Sequence, residues 1–258
     1  MLLYNSGMSA EWPAPPAVWA LPADEVHVWR LDLDQPAAAV AALESVLTPG
    51  ERERAAGFYR QRDQARFAVG RGLLRVILGR YLGVAPAGLR FAVNEHGKPF
   101  LVGDVAESVS FNLSHSAGLA LIAVTLGRAI GVDVERVREN VDHERLARRF
   151  FSPSEVAQLD RLPEEERVRA FFHCWSCKEA YIKGQGAGIS LGLHNFDVMV
   201  APDEPARLLA TRPDASEASR WRLLALQPAP GYAGAVAVRG HDWRVSCWSW
   251  TQEEMAGL

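Results

Sequence analysis

Asp133 and Glu135 lie in the run Ile130-Gly131-Val132-Asp133-Val134-Glu135, where acidic and apolar residues alternate. A strand here puts both carboxylates on one face, with their bases roughly 7 Å apart, and Ile130, Val132 and Val134 on the other. Two carboxylates so placed repel unless water screens them or a cation sits between them. Ligands that are all oxygen favour a hard cation, and Mg²⁺ commonly takes a few carboxylates together with substrate phosphate and water. The same spacing also fits the solvated outer face of an edge strand. Gly131 precedes the acids on their face and leaves room for a ligand to approach the backbone.

A third carboxylate lies downstream, in Phe171-Phe172-His173-Cys174-Trp175-Ser176-Cys177-Lys178-Glu179-Ala180-Tyr181-Ile182-Lys183. On a helix, Trp175, Glu179 and Lys183 fall at i, i+4 and i+8 along one stripe. Glu179 can then complete a metal site, with Lys183 one turn further on to face a phosphate. The plainer reading is a surface Glu-to-Lys pair worth a few tenths of a kcal/mol. Cys174 and Cys177 are spaced as Cys-x-x-Cys. They lie inside the helix, whereas a redox pair belongs at a helix N-terminus, and no second cysteine pair exists to complete a zinc site. They read as core-facing cysteines.

Three segments offer groups for phosphate. Asn94-Glu95-His96-Gly97-Lys98-Pro99-Phe100 is a turn whose lysine is fixed by Gly and Pro. Asn112-Leu113-Ser114-His115-Ser116 ends a strand with hydroxyls and an imidazole. Arg52, Arg54, Arg60, Arg62 and Arg66 can grip phosphate through paired hydrogen bonds. Each also reads as ordinary structure: a turn, a structural strand-end histidine, a solvated basic helix face. Neither a Walker-type loop nor a dinucleotide fingerprint is present.

The elements that must hold these groups are legible in part. Residues 1–25 are rich in Pro and Ala and read as a loosely ordered lead-in. Val26 to Leu33 alternates as a half-buried strand. Thr48-Pro49-Gly50-Glu51 starts a helix with a capping box, and Phe67 to Tyr81 is a buried helix ending at Gly83. The order then recurs. A strand spans Ala129 to Glu135, a second box is Ser152-Pro153-Ser154-Glu155, and a long helix runs from Glu164 to Lys183 before a Gly-rich stretch. Ser108 to Ser114 and Leu119 to Thr125 form a hairpin leading into the Ala129 strand, and Trp221 to Leu226, Tyr232 to Val238 and Trp243 to Trp248 are further strands. The expected fold class is α+β. It consists of two pseudo-symmetric halves, 26–127 and 128–258, each a small, mostly antiparallel sheet with packed helices.

The chain has 258 residues, 48% hydrophobic and 23% charged, with a net charge of −3. This mixture builds a substantial core and supplies no global basic field for nucleic acid or anionic membrane. Three cysteines are too few for a disulfide framework. The first residues lack the regions of a secretion signal, and the longest apolar stretch, Ala117 to Val124, is far shorter than a membrane span. A cytoplasmic protein without membrane or nucleic-acid partners is expected.

Taken in order, Gly97-Lys98-Pro99, Phe111-Asn112-Leu113-Ser114-His115-Ser116, Ile130 to Glu135, Arg149-Phe150-Phe151-Ser152 and Trp175-Ser176-Cys177-Lys178-Glu179-Ala180-Tyr181-Ile182-Lys183 resemble the Sfp-type 4′-phosphopantetheinyl transferases. A late Gly231-Tyr232 followed by Ala235-Val236 also fits, and the likeness runs from about Val26 to Val238. The resemblance implies transfer of the phosphopantetheine arm of coenzyme A to a serine of an apo acyl, peptidyl or polyketide carrier protein, with release of 3′,5′-ADP. It places coenzyme A in a cleft between the two halves. By motif position it implies Asp133, Glu135 and Glu179 as ligands of Mg²⁺, with Mn²⁺ able to stand in; general acid–base chemistry then makes Glu179, directly or through a metal-bound water, the expected base for the serine. Lys183 becomes a pyrophosphate contact and an acid for the departing phosphate. Lys98, Ser114 and His115 become phosphate or nucleotide contacts, and Arg54 and Arg66 partners of the 3′-phosphate. Three positions depart from the pattern: Glu51 stands where the family often has lysine, Ser176 replaces a commoner threonine, and Phe100 a commoner tyrosine. A monomer carrying both halves of its cleft is expected. Two rival readings use the same residues: a Mg²⁺-dependent phosphohydrolase of coenzyme A or nucleotides, and a non-catalytic binding module.

Overall fold

A computed structural model of the chain describes residues 12–104, 109–186, 188, 192–212, 214–251 and 254–255. In chain order they carry β1 (Glu25–Asp32), α1 (Ala37–Ser45), α2 (Pro49–Ala56), α3 (Gln61–Leu82), β2 (Arg90–Val93), β3 (Pro99–Val102), β4 (Ser110–Ser116), β5 (Leu119–Thr125) and β6 (Ile130–Arg136). There follow α4 (His143–Phe150), α5 (Pro153–Arg161), α6 (Glu164–Gln185), β7 (Phe196–Val198), β8 (Leu208–Thr211), β9 (Trp221–Leu226), β10 (Tyr232–Arg239) and β11 (Arg244–Ser249). The class is α+β, as expected. The chain divides into two compact units, one of residues 12–93, 99–127 and 244 onward, the other of residues 94–98 and 128–243.

In the first unit the sheet order is β11-β1-β5-β4. The β4–β5 hairpin forms as read from the sequence, with Asn112 opposite Ala123, although Ser108 lies outside the described residues. All seven residues of β5 are buried, since its neighbours β1 and β4 flank it in the sheet and both its faces are covered. β1 runs antiparallel to β5 and parallel to β11, with Val28 opposite Cys247. The last strand, which the sequence grouped with residues 128–258, therefore completes the sheet of the other unit. α3 packs its apolar side on this sheet: Leu73, Leu74 and Ile77 share a core with Trp29, Leu31, Ile122 and Val124. It stops at Gly83, whose φ of +63° is a left-handed conformation that glycine adopts without strain. Residues 1–11 of the lead-in lie outside the described residues. In the remainder Trp12 is buried and the Trp19 ring packs 4.3 Å from Trp29, while most residues from 13 to 24 are exposed.

The second unit has the sheet β6-β10-β9 and a separate β7–β8 pair. Both proline-started helices carry the capping boxes that their sequences specify. In α2, Thr48 N–H donates to Glu51 and Glu51 N–H to Thr48; in α5, Ser152 and Glu155 exchange the same two bonds. α6 is 22 residues long, as is α3, and it ends at Gly186. Its buried side chains Phe171, Phe172, Cys174 and Tyr181 join Leu159, Phe196 and Trp221 in one core. No described helix is long and apolar enough to cross a membrane.

Candidate active site

The site is built where α6 lies on β6. β6 is an edge strand, yet its first five residues are buried. Gly131 explains how: a Cβ there would stand 2.1 Å from the Ala180 carbonyl oxygen and 2.2 Å from the Gly184 nitrogen. The room left by Gly131 is therefore filled by the helix backbone, not by a ligand. On that same face follow Asp133 and Glu135, and Asp133 is only 2% exposed. A solvated outer strand face is thereby ruled out for Asp133.

On α6, Trp175, Glu179 and Lys183 are half-buried while Ser176, Cys177, Lys178, Ala180, Tyr181 and Ile182 between them are buried. The stripe read from i, i+4 spacing is thus the accessible edge of an otherwise enclosed helix. Lys183 Nζ donates to Asp133 Oδ1 at 2.6 Å, joining stripe to strand. Trp175 is wedged among Phe150, Phe151 and Phe171 at 5.7–6.2 Å, which fixes the first turn of the stripe.

Electrostatics link the three acids. Burial raises the Glu179 carboxyl above its ordinary value; Lys183 opposes the rise, and the charges of Asp133 and Glu135 add to it. Among the described residues no three His, Cys, Asp or Glu side chains stand close enough to enclose an ion, and Asp133 has Lys183 as its counter-charge. The donor set is nevertheless all oxygen and carries an excess of negative charge over one lysine, which in kind fits a hard divalent cation sharing its shell with phosphate and water.

Lys98 belongs to the same unit. Its ammonium donates to the Ile130 carbonyl at 2.8 Å and the Gly184 carbonyl at 3.3 Å, bracing the start of β6 against the end of α6. Burial pulls its pKa down to about 8. The turn that presents it is set by Asn94, whose side chain accepts from the Lys98 and His96 N–H groups and donates to the Gly186 carbonyl.

Comparison with known proteins decides the family. Residues 129–237 match the 4′-phosphopantetheinyl transferase superfamily, and residues 32–126 match the family described as 4′-phosphopantetheinyl transferase, N-terminal. The chain is 44% identical over 237 residues to the 4′-phosphopantetheinyl transferase HetI of Nostoc sp., covering 92% of this chain and 96% of that one. It is 32% identical over 198 residues to the 4′-phosphopantetheinyl transferase Sfp of Bacillus subtilis, covering 77% and 84%. A phosphopantetheinyl transferase of Thraustochytrium sp. is 30% identical over 212 residues, covering 78% and 73%. The chain belongs to the 4′-phosphopantetheinyl transferases.

Within this transferase the remaining expected contacts lie in the first unit, each already engaged. Arg54 ends α2 with its guanidinium 5.5 Å over the Phe67 ring. Arg66, on α3, makes two 2.7 Å bonds to Asp34. Ser114 and His115 are neighbours on β4 and so face opposite sides of the sheet, Ser114 buried and His115 exposed. Glu51, the departure from the family pattern, accepts from Arg71 at 2.5 Å and from the buried Arg75 at 2.8 Å. Burial alone would raise its carboxyl, but bonds from Arg75, the Thr48 backbone and Arg71 outweigh it and hold the pKa at about 2. Here the acid binds the nearby arginines to the fold.

The transferase's Cys174 and Cys177 are wholly buried, and burial pushes the Cys177 thiol up to about 12 and Cys174 well above the ordinary range, so neither is a reactive thiolate. Sequence reasoning passed over Gly184 and Lys178. A Cβ on Gly184 would stand 2.7 Å from the Trp221 ring. Lys178 is a charged residue with no exposure at all. Its sequence neighbours Cys174, Cys177, Tyr181 and Ile182 are buried as well, but a charged side chain on a helix ordinarily reads as solvent-facing.

Proposed function

We propose that this transferase moves the phosphopantetheine arm of coenzyme A to a serine of apo carrier proteins with Mg²⁺ held by Asp133, Glu135 and Glu179. The observation that carries the reading is the buried Asp133 on β6, joined to the Glu179–Lys183 edge of α6 inside the segment that matches the superfamily. A bound divalent cation supplies charge neutralisation for the pyrophosphate of coenzyme A. The chain's own residues do the rest. Glu179, whose carboxylate burial makes more basic, accepts the proton of the incoming serine hydroxyl, directly or through a water. The serine oxygen bonds to the phosphorus carrying the pantetheine arm, and the bond from that phosphorus to the bridging oxygen of 3′,5′-ADP breaks. Lys183, released from Asp133, neutralises the departing phosphate or protonates it. Lys98, Ser114 and His115 are assigned to the phosphates and nucleotide, Arg54 and Arg66 to the 3′-phosphate. Positioning and charge neutralisation are what such transfers chiefly need.

Intact-mass measurement of several apo carrier proteins, incubated with the enzyme, coenzyme A and Mg²⁺, tests this reading. A phosphopantetheine-sized gain on the carrier is expected. Breakdown of coenzyme A with no carrier gaining mass would instead mean hydrolysis. Glu179→Gln in the same assay tests the base: near wild-type transfer at saturating Mg²⁺ would remove that role.

A further inference from the structure

The face of α6 turned away from the acidic edge holds an ion pair that the chemistry above does not use. Lys178 and Glu155 are both wholly inaccessible, with Nζ 2.7 Å from Glu155 Oε2. The other two ammonium protons go to the carbonyls of Leu193 and Phe196, each at 2.7 Å. The cation also lies over the Phe196 ring at 4.3 Å and the Phe151 ring at 5.6 Å. Glu155 is as fully engaged: it accepts from the Ser152 N–H at 2.9 Å and the Val198 N–H at 2.8 Å. Three donors thus meet three acceptors, and the pair ties α6 at once to the start of α5, to the segment 193–195 and to β7.

Burying two charges is a poor way to gain stability, because desolvation offsets most of their attraction and an apolar pair of the same size serves as well. What such a pair does supply is a single allowed geometry. Lys178 is the residue before Glu179, about 100° around the helix. On the opposite side, Gly131 brings the α6 backbone into direct contact with β6. With one side of the helix held against a strand and the other clamped through Lys178, α6 cannot roll about its axis or slide without breaking these bonds. Glu179 and Lys183 are carried by the same two turns.

We infer that Lys178 and Glu155 are positioning residues, a buried clamp that sets the rotation of α6 and so aims Glu179 and Lys183 at Asp133. The inference rests on the reading of Glu179 as a metal ligand and gives that site its support. The alternative is a pair that merely holds the fold.

The test is the double variant Lys178→Met with Glu155→Gln, which leaves no unpaired charge inside and keeps one acceptor oxygen and the volume at residue 155. Circular dichroism and thermal melting establish folding. Mn²⁺ binding in the presence of coenzyme A, read by electron paramagnetic resonance, is expected to weaken by about tenfold, with kcat for carrier loading falling by a similar factor and KM for coenzyme A nearly constant. Leu159→Ala, a cavity one turn along α5 from Glu155 that removes none of the clamp's bonds, is the control: it should melt lower yet keep the wild-type Mn²⁺ curve. A folded double variant with wild-type Mn²⁺ binding and kcat overturns the clamp, and so does a Leu159→Ala curve shifted as far as the double variant's. If the double variant does not fold, Glu155→Gln alone is held to the same expectation and the same refutation. Wild-type enzyme that neither loads carriers nor binds Mn²⁺ would instead refute the function on which the clamp rests.

Discussion

Gly131→Ala isolates the strand-to-helix approach on which the site depends. The new methyl carbon would stand 2.1 Å from the Ala180 oxygen and 2.2 Å from the Gly184 nitrogen, where ordinary contact begins at 3.4 Å. Both neighbours are helix backbone, so no side-chain rotation relieves the overlap, and α6 must back away from β6 by about 1 Å. Overpacking of this kind costs about 1–3 kcal/mol, equivalent to a fall of roughly 2–12 °C in Tm for a chain of this size. The same retreat stretches the 2.6 Å bond from Lys183 to Asp133 beyond hydrogen-bond length. A displacement of about 1 Å between reacting groups is worth about a hundredfold in rate. Carrier loading followed by intact mass, alongside differential scanning calorimetry, measures both effects on one sample. An alanine variant that melts within about 1 °C of wild type and loads carriers at more than half its rate would refute the argument that glycine is required by the approach of α6.

Glu51→Gln should lower unfolding free energy by about 2–3 kcal/mol at pH 7, because it leaves the buried Arg75 without its carboxylate. The folded carboxyl sits at about 2 against an ordinary 4.5, so this stabilisation is complete above pH 4.5 and is lost as pH falls through 2. Urea titrations at pH 7 and pH 2 should therefore show the variant's deficit shrinking in acid. His173 adds acid sensitivity in a higher window. Burial holds its imidazole at about 4 against 6.5, so between those values the unfolded chain binds the proton first and the fold loses up to about 3 kcal/mol as pH drops. His173→Gln should flatten the pH dependence of the urea midpoint between pH 6.5 and 4, and an unchanged slope would count against it. Lys183→Met should reduce kcat for carrier loading by about 10²–10³-fold, and a loss under threefold would take the lysine out of the mechanism.

Features governed by near neighbours were the legible ones. Both capping boxes need only four consecutive residues, and Gly83 ends α3 where its sequence says it should. The Asp133–Glu135 alternation and the Trp175–Glu179–Lys183 stripe were readable because period two and period four are local properties. α1 was missed because Pro36 precedes it and offers no side-chain cap, so Ala37–Ser45 carries no start signal. Partners far apart in sequence were also hidden. That Arg66 would meet Asp34, or that β11 would lie beside β1, follows from tertiary packing that alternation does not encode. Gly131 was recognised as making room, but what fills the room is helix. Lys178 was invisible as a core residue because a charged side chain on a helix ordinarily reads as solvent-facing.

The parallel pairing of β1 with β11 has a consequence for the order of synthesis. Residues 25–32 are made before every other strand of their sheet, yet their neighbours on one side are residues 244–249. Until translation reaches that point, β1 has β5 on one side and an open row of backbone donors and acceptors on the other, flanked by the apolar Val28 and Trp29. At about 5–20 residues per second, the interval between the emergence of β5 and that of β11 is several seconds or more. During that time the second unit, residues 94–98 and 128–243, has emerged in full and can fold while the first waits with an exposed edge. The final strand acts as a late closure, so ribosome stalling or premature termination just before residue 244 leaves the nascent chain with an adhesive sheet rather than a finished one.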